Sequence, residues 1–396
     1  MKDHYLIRIG EISLKKGNKP FFERLLKENL TRRLAGFSPR TTVRDGRFYL
    51  ETDHDETGRV EEILSKTAGL VAFSRTLVFP KDWDTVREGA AGVGSAQALK
   101  YPGSRFKVAA KRTDKSFIKG SYEIQSELGE ILLDRHPDLK VDVHNPDWKL
   151  HVEIREKAYV YSDQTRGPGG LPVSTAGRGM LLLSGGIDSP VAGFMMARRG
   201  LRLAAVHFHT PPYTSEDSLG KVRRLAALLR DWDACHALFE VPFTELQLKI
   251  MKSVPRDKTT LFARAAMMAT AELLAKKWGA GCLVTGEALS QVASQTLQSL
   301  HFTDSIPKLP VFRPCIGLDK EDIIQTARKL GTFETSIEPF TDCCSLFSPP
   351  HPCINPDFNE TMAEWEALTE IHEDIRNLSG SVYEGYKKGL KGDSGT

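Results

Sequence analysis

The chain has 396 residues, 40% of them apolar and 27% charged, with a formal net charge of +3. That is more than one small core requires and predicts two or three domains of an ordinary soluble globular protein. No apolar run approaches the length of a membrane span, and Met1-Lys2-Asp3-His4 lacks the layout of a signal peptide, so a cytoplasmic protein that makes no membrane contact is expected.

In chain order, a strand is predicted at 4–9, followed by a basic turn that carries Lys15, Lys16 and Lys19. A helix follows over 21–34, with Phe22, Leu25, Leu26 and Leu30 at helical spacing. Strands at 41–44 and 47–51 flank Asp45-Gly46, a hairpin signal. This small α+β unit is placed at residues 1–57. A second unit, 58–165, is predicted to hold helices at 57–66, 83–98 and 121–135. Its strands fall near 76–79, 105–110, 141–143, 149–154 and 157–162. A linker at 166–178 is rich in Gly and Pro, as in Gly167-Pro168-Gly169-Gly170. Over 179–396, strands at 179–183, 203–208, 236–240 and 282–285 alternate with helices at 188–199, 216–230, 243–252 and 259–277. That alternation predicts a doubly wound parallel sheet, whose ligands bind at the carboxyl ends of the strands. The polar tail from Lys387 is expected to fray.

Charge divides along the same line. Residues 1–178 hold 31 Lys+Arg against 25 Asp+Glu, and residues 179–396 hold 23 against 26. A basic front half points to an anionic polymer as its partner. Lys15, Lys16, Arg32, Arg33, Lys111, Arg112 and Lys115 are the candidates for RNA phosphate contacts.

Six cysteines occur, none before Cys235, which excludes a disulfide framework. Cys235, Cys282 and Cys315 stand in apolar contexts and are expected in the core. Cys343, Cys344 and Cys353 cluster; an iron–sulfur cluster is an alternative use for them, although no Cys-x-x-Cys pair is present. No residue set is assigned as a dedicated metal site.

The run Ser184-Gly185-Gly186-Ile187-Asp188-Ser189 follows the apolar strand Met180-Leu181-Leu182-Leu183 directly. Adjacent glycines, serine hydroxyls and a helix N-terminus make an anion cradle. No lysine follows Gly186, so it is not the Gly-x-x-x-x-Gly-Lys-Ser/Thr loop. Arg264 stands among small residues on a helix, which predicts a buried anionic partner.

The Ser-Gly-Gly-x-Asp-Ser turn resembles the PP-loop of ATP pyrophosphatases. Leu182–Ala192, His207-Phe208-His209-Thr210-Pro211-Pro212-Tyr213, Val284–Thr296 and Asp342-Cys343-Cys344 together resemble the tRNA 4-thiouridine synthetase (ThiI) family. The resemblance implies ferredoxin-like and THUMP domains followed by a PP-loop domain (adenine nucleotide alpha hydrolase-like). It implies an ATP-dependent tRNA sulfurtransferase that adenylates O4 of the uridine at position 8 of tRNA. Persulfide sulfur then replaces AMP, giving 4-thiouridine. By motif, Leu182, Leu183, His207, Phe208, Arg264, Gly286 and Gln295 would contact ATP, beside the loop residues Ser184, Gly185, Gly186 and Ser189. Asp188 would organise the loop and Mg²⁺, Lys320 would neutralise phosphate charge, and Cys344 would carry the persulfide. Cysteine desulfurase is the implied sulfur donor.

The chain ends at Thr396 without the rhodanese domain that many family members carry. A second thiol is therefore expected from Cys343, Cys353, another cysteine or a partner, and the family's association with thiamine biosynthesis is not carried over. A homodimer is expected if one tRNA bridges the front half of one copy and the catalytic half of another. Two other functions are compatible with the residues: another PP-loop RNA-modifying enzyme, or an RNA-binding protein with a non-catalytic nucleotide site.

Overall fold

A computed structural model describes residues 2–44, 46–55, 57–339 and 347–393. It divides into two units, Met1–Gly170 and Leu171–Thr396. The first begins with β1 (Lys2–Ile9), helix α1 (Lys19–Arg33), β2 (Arg40–Arg44), β3 (Arg47–Asp53), helix α2 (Arg59–Ser65) and β4 (Leu70–Arg75). Alternation explains β3: Phe48, Leu50 and Thr52 are buried while the residues between them are half-buried. Leu26 and Leu30 of α1 are buried at helical spacing, as predicted. Gly46 takes the left-handed φ of 72° that the β2–β3 hairpin needs.

β5 (Leu77–Phe79), helix α3 (Trp83–Lys100), β6 (Arg105–Arg112), helix α4 (Ser121–Arg135), β7 (Lys140–Val141), β8 (Trp148–Ile154) and β9 (Ala158–Tyr161) follow. They build a second sheet in the order β5-β9-β8-β6-β7, in which β6 runs parallel to both β7 and β8. β10 (Thr165–Arg166) then returns to the first sheet, whose order is β10-β4-β1-β3-β2.

The two sheets are joined by a buried carboxylate. Glu153 Oε1 accepts from Arg47 Nη1 at 2.5 Å and from the Tyr161 hydroxyl at 2.9 Å. Glu153 Oε2 accepts from Arg155 Nε at 3.1 Å, and Arg8 donates to the Tyr161 hydroxyl at 2.9 Å. Burial works against the Glu153 charge, but the Arg47 charge and these hydrogen bonds hold its carboxyl below the usual range.

Sheet membership shifts one expected boundary, while the division between the units, at Gly170/Leu171, falls inside the expected linker 166–178. β4, not foreseen, pairs with β1, so residues 58–75 complete the first sheet and the internal division falls near residue 76 rather than at 57/58. The expected linker is tied down at its start: Gly167 N and Gly169 N donate to Val71 O and Leu70 O. A Cβ on Gly167 would lie 2.4 Å from Leu70 O, so glycine here serves close approach rather than freedom of movement.

The second unit contains β11 (Arg178–Leu182), α5 (Asp188–Ala197), β12 (Arg202–His209), α6 (Glu216–Asp231), β13 (Leu238–Pro242), α7 (Thr244–Ser253), α8 (Thr259–Trp278), β14 (Leu283–Val284), α9 (Leu297–Asp304), β15 (Val311–Phe312) and α10 (Lys320–Leu330). Helices Phe358–Ala367 and Thr369–Asp393 end it, so the expected fraying from Lys387 gives way to helix up to Asp393. The Tyr383 hydroxyl anchors this last helix by donating to Lys277 O at 2.7 Å. All pairings in the sheet are parallel, in the order β13-β12-β11-β14-β15. The chain moves outward from β11 to β13 and then returns to β14 on the other side. The carboxyl ends of β11 and β14 thus flank the switch point where such sheets bind ligands. α8 is apolar nearly all round, with Phe262, Ala265, Ala266, Ala271 and Leu274 fully buried, as expected of a helix enclosed in a core.

Candidate active site

The loop 184–189 joins β11 to α5 at that switch point. Its shape is held from within. Ser184 N donates to Ser189 Oγ at 3.0 Å, Gly186 N donates to Ser184 Oγ at 3.3 Å, and the two serine hydroxyls lie 3.1 Å apart. Neither Gly185 nor Gly186 has a left-handed φ, so backbone strain is not why glycine stands there. A Cβ built on Gly186 meets only Ser184 Oγ, at 3.5 Å; its other surroundings are open. The missing side chain leaves room for a ligand to reach the backbone. Gly286 serves a different end. Its Cβ would fall 2.5 Å from Ser189 N, so glycine is what lets the chain after β14 touch the start of α5.

Below the loop lies a cavity of about 250 Å³. Leu182, Leu183, Ser184, Asp188 and Ser189 line it from the β11–α5 side, and His207 and Phe208 from the end of β12. Arg264, Gly286 and Gln295 close it. Ten of the predicted ligand contacts thus share one cavity, with Gly185 and Gly186 in the adjoining turn. The His207 ring is fixed by Nδ1 donating to Leu183 O at 2.9 Å. Phe208 packs edge-on against Phe243. Gln295 Oε1 is a buried acceptor with no protein partner among the described residues, which suits a ligand donor.

Asp188 and Lys320, far apart in sequence, meet at the first turns of α5 and α10. Lys320 Nζ donates to Asp188 Oδ1 at 2.6 Å, and Gln291 Nε2 donates to Asp188 Oδ2 at 2.9 Å. The predicted anionic partner of Arg264 is Glu287, through Oε1. Glu287 Oε2 also accepts from Arg313 Nε at 2.7 Å and Thr285 Oγ1 at 2.8 Å. Thr285 and Glu287 fall in the matched run Val284–Thr296 but, like Arg313 and the wall residues Met267 and Met268, carry no role in the sequence reading. Met267 and Met268 follow Arg264 by three and four residues, a helical spacing that gave the signal for that face.

Cys235, Cys282 and Cys315 are buried, as expected. Burial pushes the first two thiols up to about 11, and burial with the nearby Asp188 charge pushes Cys315 up to about 12. Cys353 is half-buried and lines a neighbouring cavity. Cys343 and Cys344 lie outside the described residues.

The predicted RNA contacts divide by environment. Lys16, Lys111 and Lys115 are exposed. Lys15 lies 3.8 Å from Glu11, Arg32 donates to Asn29, and Arg33 donates to Thr67 Oγ1 at 3.1 Å. Arg112 donates to the carbonyls of Lys115 and Phe117, at 3.2 and 3.0 Å, and so shapes its own loop. Among the described residues no helix is long and apolar enough to cross a membrane.

Three family descriptions match consecutive parts of the chain: ThiI ferredoxin-like domain over 4–74, THUMP domain over 80–163, and Thiamine biosynthesis protein (ThiI) over 174–369. The "Probable tRNA sulfurtransferase" of Caldanaerobacter subterraneus subsp. tengcongensis is 42% identical over 385 residues, covering 97% of this chain and 100% of that protein. The protein of the same description from Moorella thermoacetica is 44% identical over 383 residues, covering 94% and 97%. A crystal structure described as a 4-thiouridine synthetase–RNA complex with bound ATP is similar with a TM-score of 0.87 at 37% identity, covering 97% of this chain and 98% of that one.

Proposed function

The chain belongs to the ThiI family, and from that premise we propose that it is an ATP-dependent tRNA sulfurtransferase that converts the uridine at position 8 to 4-thiouridine. The observation that carries this reading is the open face of Gly186 at the switch point, above a cavity bordered by Asp188, His207, Arg264 and Gln295.

ATP is the nucleotide that fits this arrangement. Leu182, Leu183, His207 and Phe208 seat the adenosine, and Gln295 Oε1 accepts from one of its donors. Ser184, Gly185, Gly186 and Ser189 hold the phosphate chain through backbone N–H groups and hydroxyls. Gly286 keeps that cradle against the sheet. Arg264 and Lys320 offset the charge that builds on departing pyrophosphate. Uridine O4 attacks the α-phosphorus, and the bond to pyrophosphate breaks. O4 then leaves with AMP when sulfur attacks the ring, because a phosphate ester oxygen departs far more readily than a carbonyl oxygen.

Mg²⁺ suits the donor set, since this ion needs only one or two carboxylates beside phosphate oxygens and water. Asp188 would hold it, and it would supply further charge stabilisation at the phosphates. Cys344 carries the persulfide in this reading, loaded by a cysteine desulfurase. After its outer sulfur has displaced AMP, a second thiol, from Cys343, Cys353, another cysteine or a partner protein, attacks the Cys344 sulfur. That step releases 4-thiouridine and leaves a disulfide that an external thiol reductant reopens. Lys15, Lys16, Arg32, Arg33, Lys111, Arg112 and Lys115 border the path of tRNA over the first unit. The protein works in the cytoplasm, as a homodimer bridged by tRNA; a monomer by light scattering in the presence of tRNA would contradict that arrangement.

Pyrophosphate release, measured with and without unmodified tRNA, tests the reading. Release stimulated by tRNA is expected. Binding of tRNA without release would instead favour an RNA-binding protein with a silent nucleotide site.

A further inference from the structure

A second cavity of about 250 Å³ adjoins the nucleotide cavity within the same unit. The two share one wall residue, Arg264. Helix α8 runs past both: Thr260, Leu261 and Arg264 face the second cavity, and Arg264, Met267 and Met268 face the first. The turn after Ser290 does the same, since Val292, Ala293 and Ser294 line the second cavity while Gln295 lines the first. Two elements therefore bring the cavities side by side at Arg264.

The lining has a mixed character. Leu261, Val292 and Ala293 provide apolar surface, and Val292 is 50% exposed with its face toward this space. Thr260 and Ser294 provide hydroxyls. Among the described residues the Thr260 hydroxyl makes one long contact, 3.4 Å, to Ser348 Oγ. The Ser294 hydroxyl lines the same cavity and has no protein partner among the described residues. Each hydroxyl can both donate and accept. Apolar walls with a few such groups are what reads an unstacked base, by stacking and by hydrogen bonds along its Watson–Crick edge.

We infer that this second cavity receives the uracil ring of the target nucleotide, with Arg264 at the boundary where O4 meets the nucleotide. The inference rests on the reading that the chain adenylates a uridine. It follows from a requirement of that chemistry: O4 and the α-phosphorus must be in contact, so the base needs a site that opens onto the nucleotide cavity. A base still stacked within the RNA cannot reach a phosphate at the bottom of a cleft, so the ring enters unstacked.

Near-ultraviolet crosslinking tests this directly, with tRNA that carries 4-thiouridine at the target position bound to the full chain. The expected adducts map to peptides containing Val292–Ser294 or Thr260–Leu261. Adducts confined to other segments, in a complex that binds tRNA and thiolates unmodified tRNA, would overturn the inference and leave the proposed function standing. Absence of tRNA binding and of thiolation would overturn the proposed function itself. Substitution gives a second test. Ala293→Phe, which fills the cavity, and Val292→Asp, at its exposed rim, should each lower thiolation at least tenfold while ATP affinity stays within twofold. Unchanged thiolation in both variants, or a parallel loss of ATP affinity, would contradict a base site.

Discussion

Glu153 and Glu287 lie in different units, yet each is a buried carboxylate held by two arginines. Arg47 and Arg155 surround Glu153; Arg264 and Arg313 surround Glu287. The difference is what lies beyond the arginines. The Glu153 cluster is closed by Tyr161 and Arg8 and stitches two sheets together. The Glu287 cluster has one arginine, Arg264, bordering two cavities. A buried ion cluster is therefore structural where its charges face only one another, and part of a site where one of them faces open space.

The largest effect is expected at the loop. Asp188→Ala removes the partner of Lys320 and Gln291, and should lower thiolation about a hundredfold to a thousandfold, the usual loss when one stabilising group is deleted. Next comes the pair of carboxylates. Glu153→Gln and Glu287→Gln should each cost about 3 kcal/mol in denaturant unfolding, because both leave buried arginine charge uncompensated. Only Glu287→Gln should also weaken ATP, by about tenfold. Equal ATP affinities in the two variants would break the contrast. Gly186→Ala sharpens it further: the new Cβ meets no protein clash, so thermal stability should hold while ATP affinity falls about tenfold.

The smallest effect is in acid. Burial, with the Arg8 charge, pushes His151 down to about 4, and its ring stacks on Tyr161 within the Glu153 cluster. The unfolded chain takes up this proton near pH 6.5, so stability should fall as pH drops from about 6.5 to about 4. Below about pH 4.5 the depressed Glu153 carboxyl adds to the loss, since the unfolded carboxyl protonates first. His151→Phe keeps the stacking and should flatten the upper part of that slope in thermal melts. An unchanged slope would remove His151 from the account.

Much of the site was legible because its signals are local. The glycine loop, the strand before it and the helix after it are contiguous, so spacing alone placed Ser184 to Ser189 at a strand end. Arg264 was legible as a charge among alanines. Its partner was not: Glu287 follows a strand and reads as an ordinary loop acid until folding brings it to α8. Lys320 lies 132 residues from Asp188, so the family motif named each with a separate role and only the fold pairs them. β4 was missed because Leu70–Arg75 lacks clean alternation, with Ala72, Phe73 and Ser74 buried in succession. β15 has only two residues, too few for any period. Arg112 shows the reverse limit. Its sequence neighbourhood suggested phosphate contact, whereas its guanidinium bonds to two carbonyls of its own loop. Lys111, exposed on β6, is therefore the cleaner residue for testing the salt dependence of tRNA binding.

The central claim is that the Gly186 cradle activates a tRNA uridine for sulfur transfer. It is tested most directly by mass spectrometry of nucleosides from unmodified tRNA incubated with the protein, ATP, Mg²⁺ and inorganic sulfide, which bypasses the persulfide route. The account predicts a 4-thiouridine signal that depends on ATP and disappears in Asp188→Ala. No 4-thiouridine from a folded protein that still binds tRNA and ATP would contradict it.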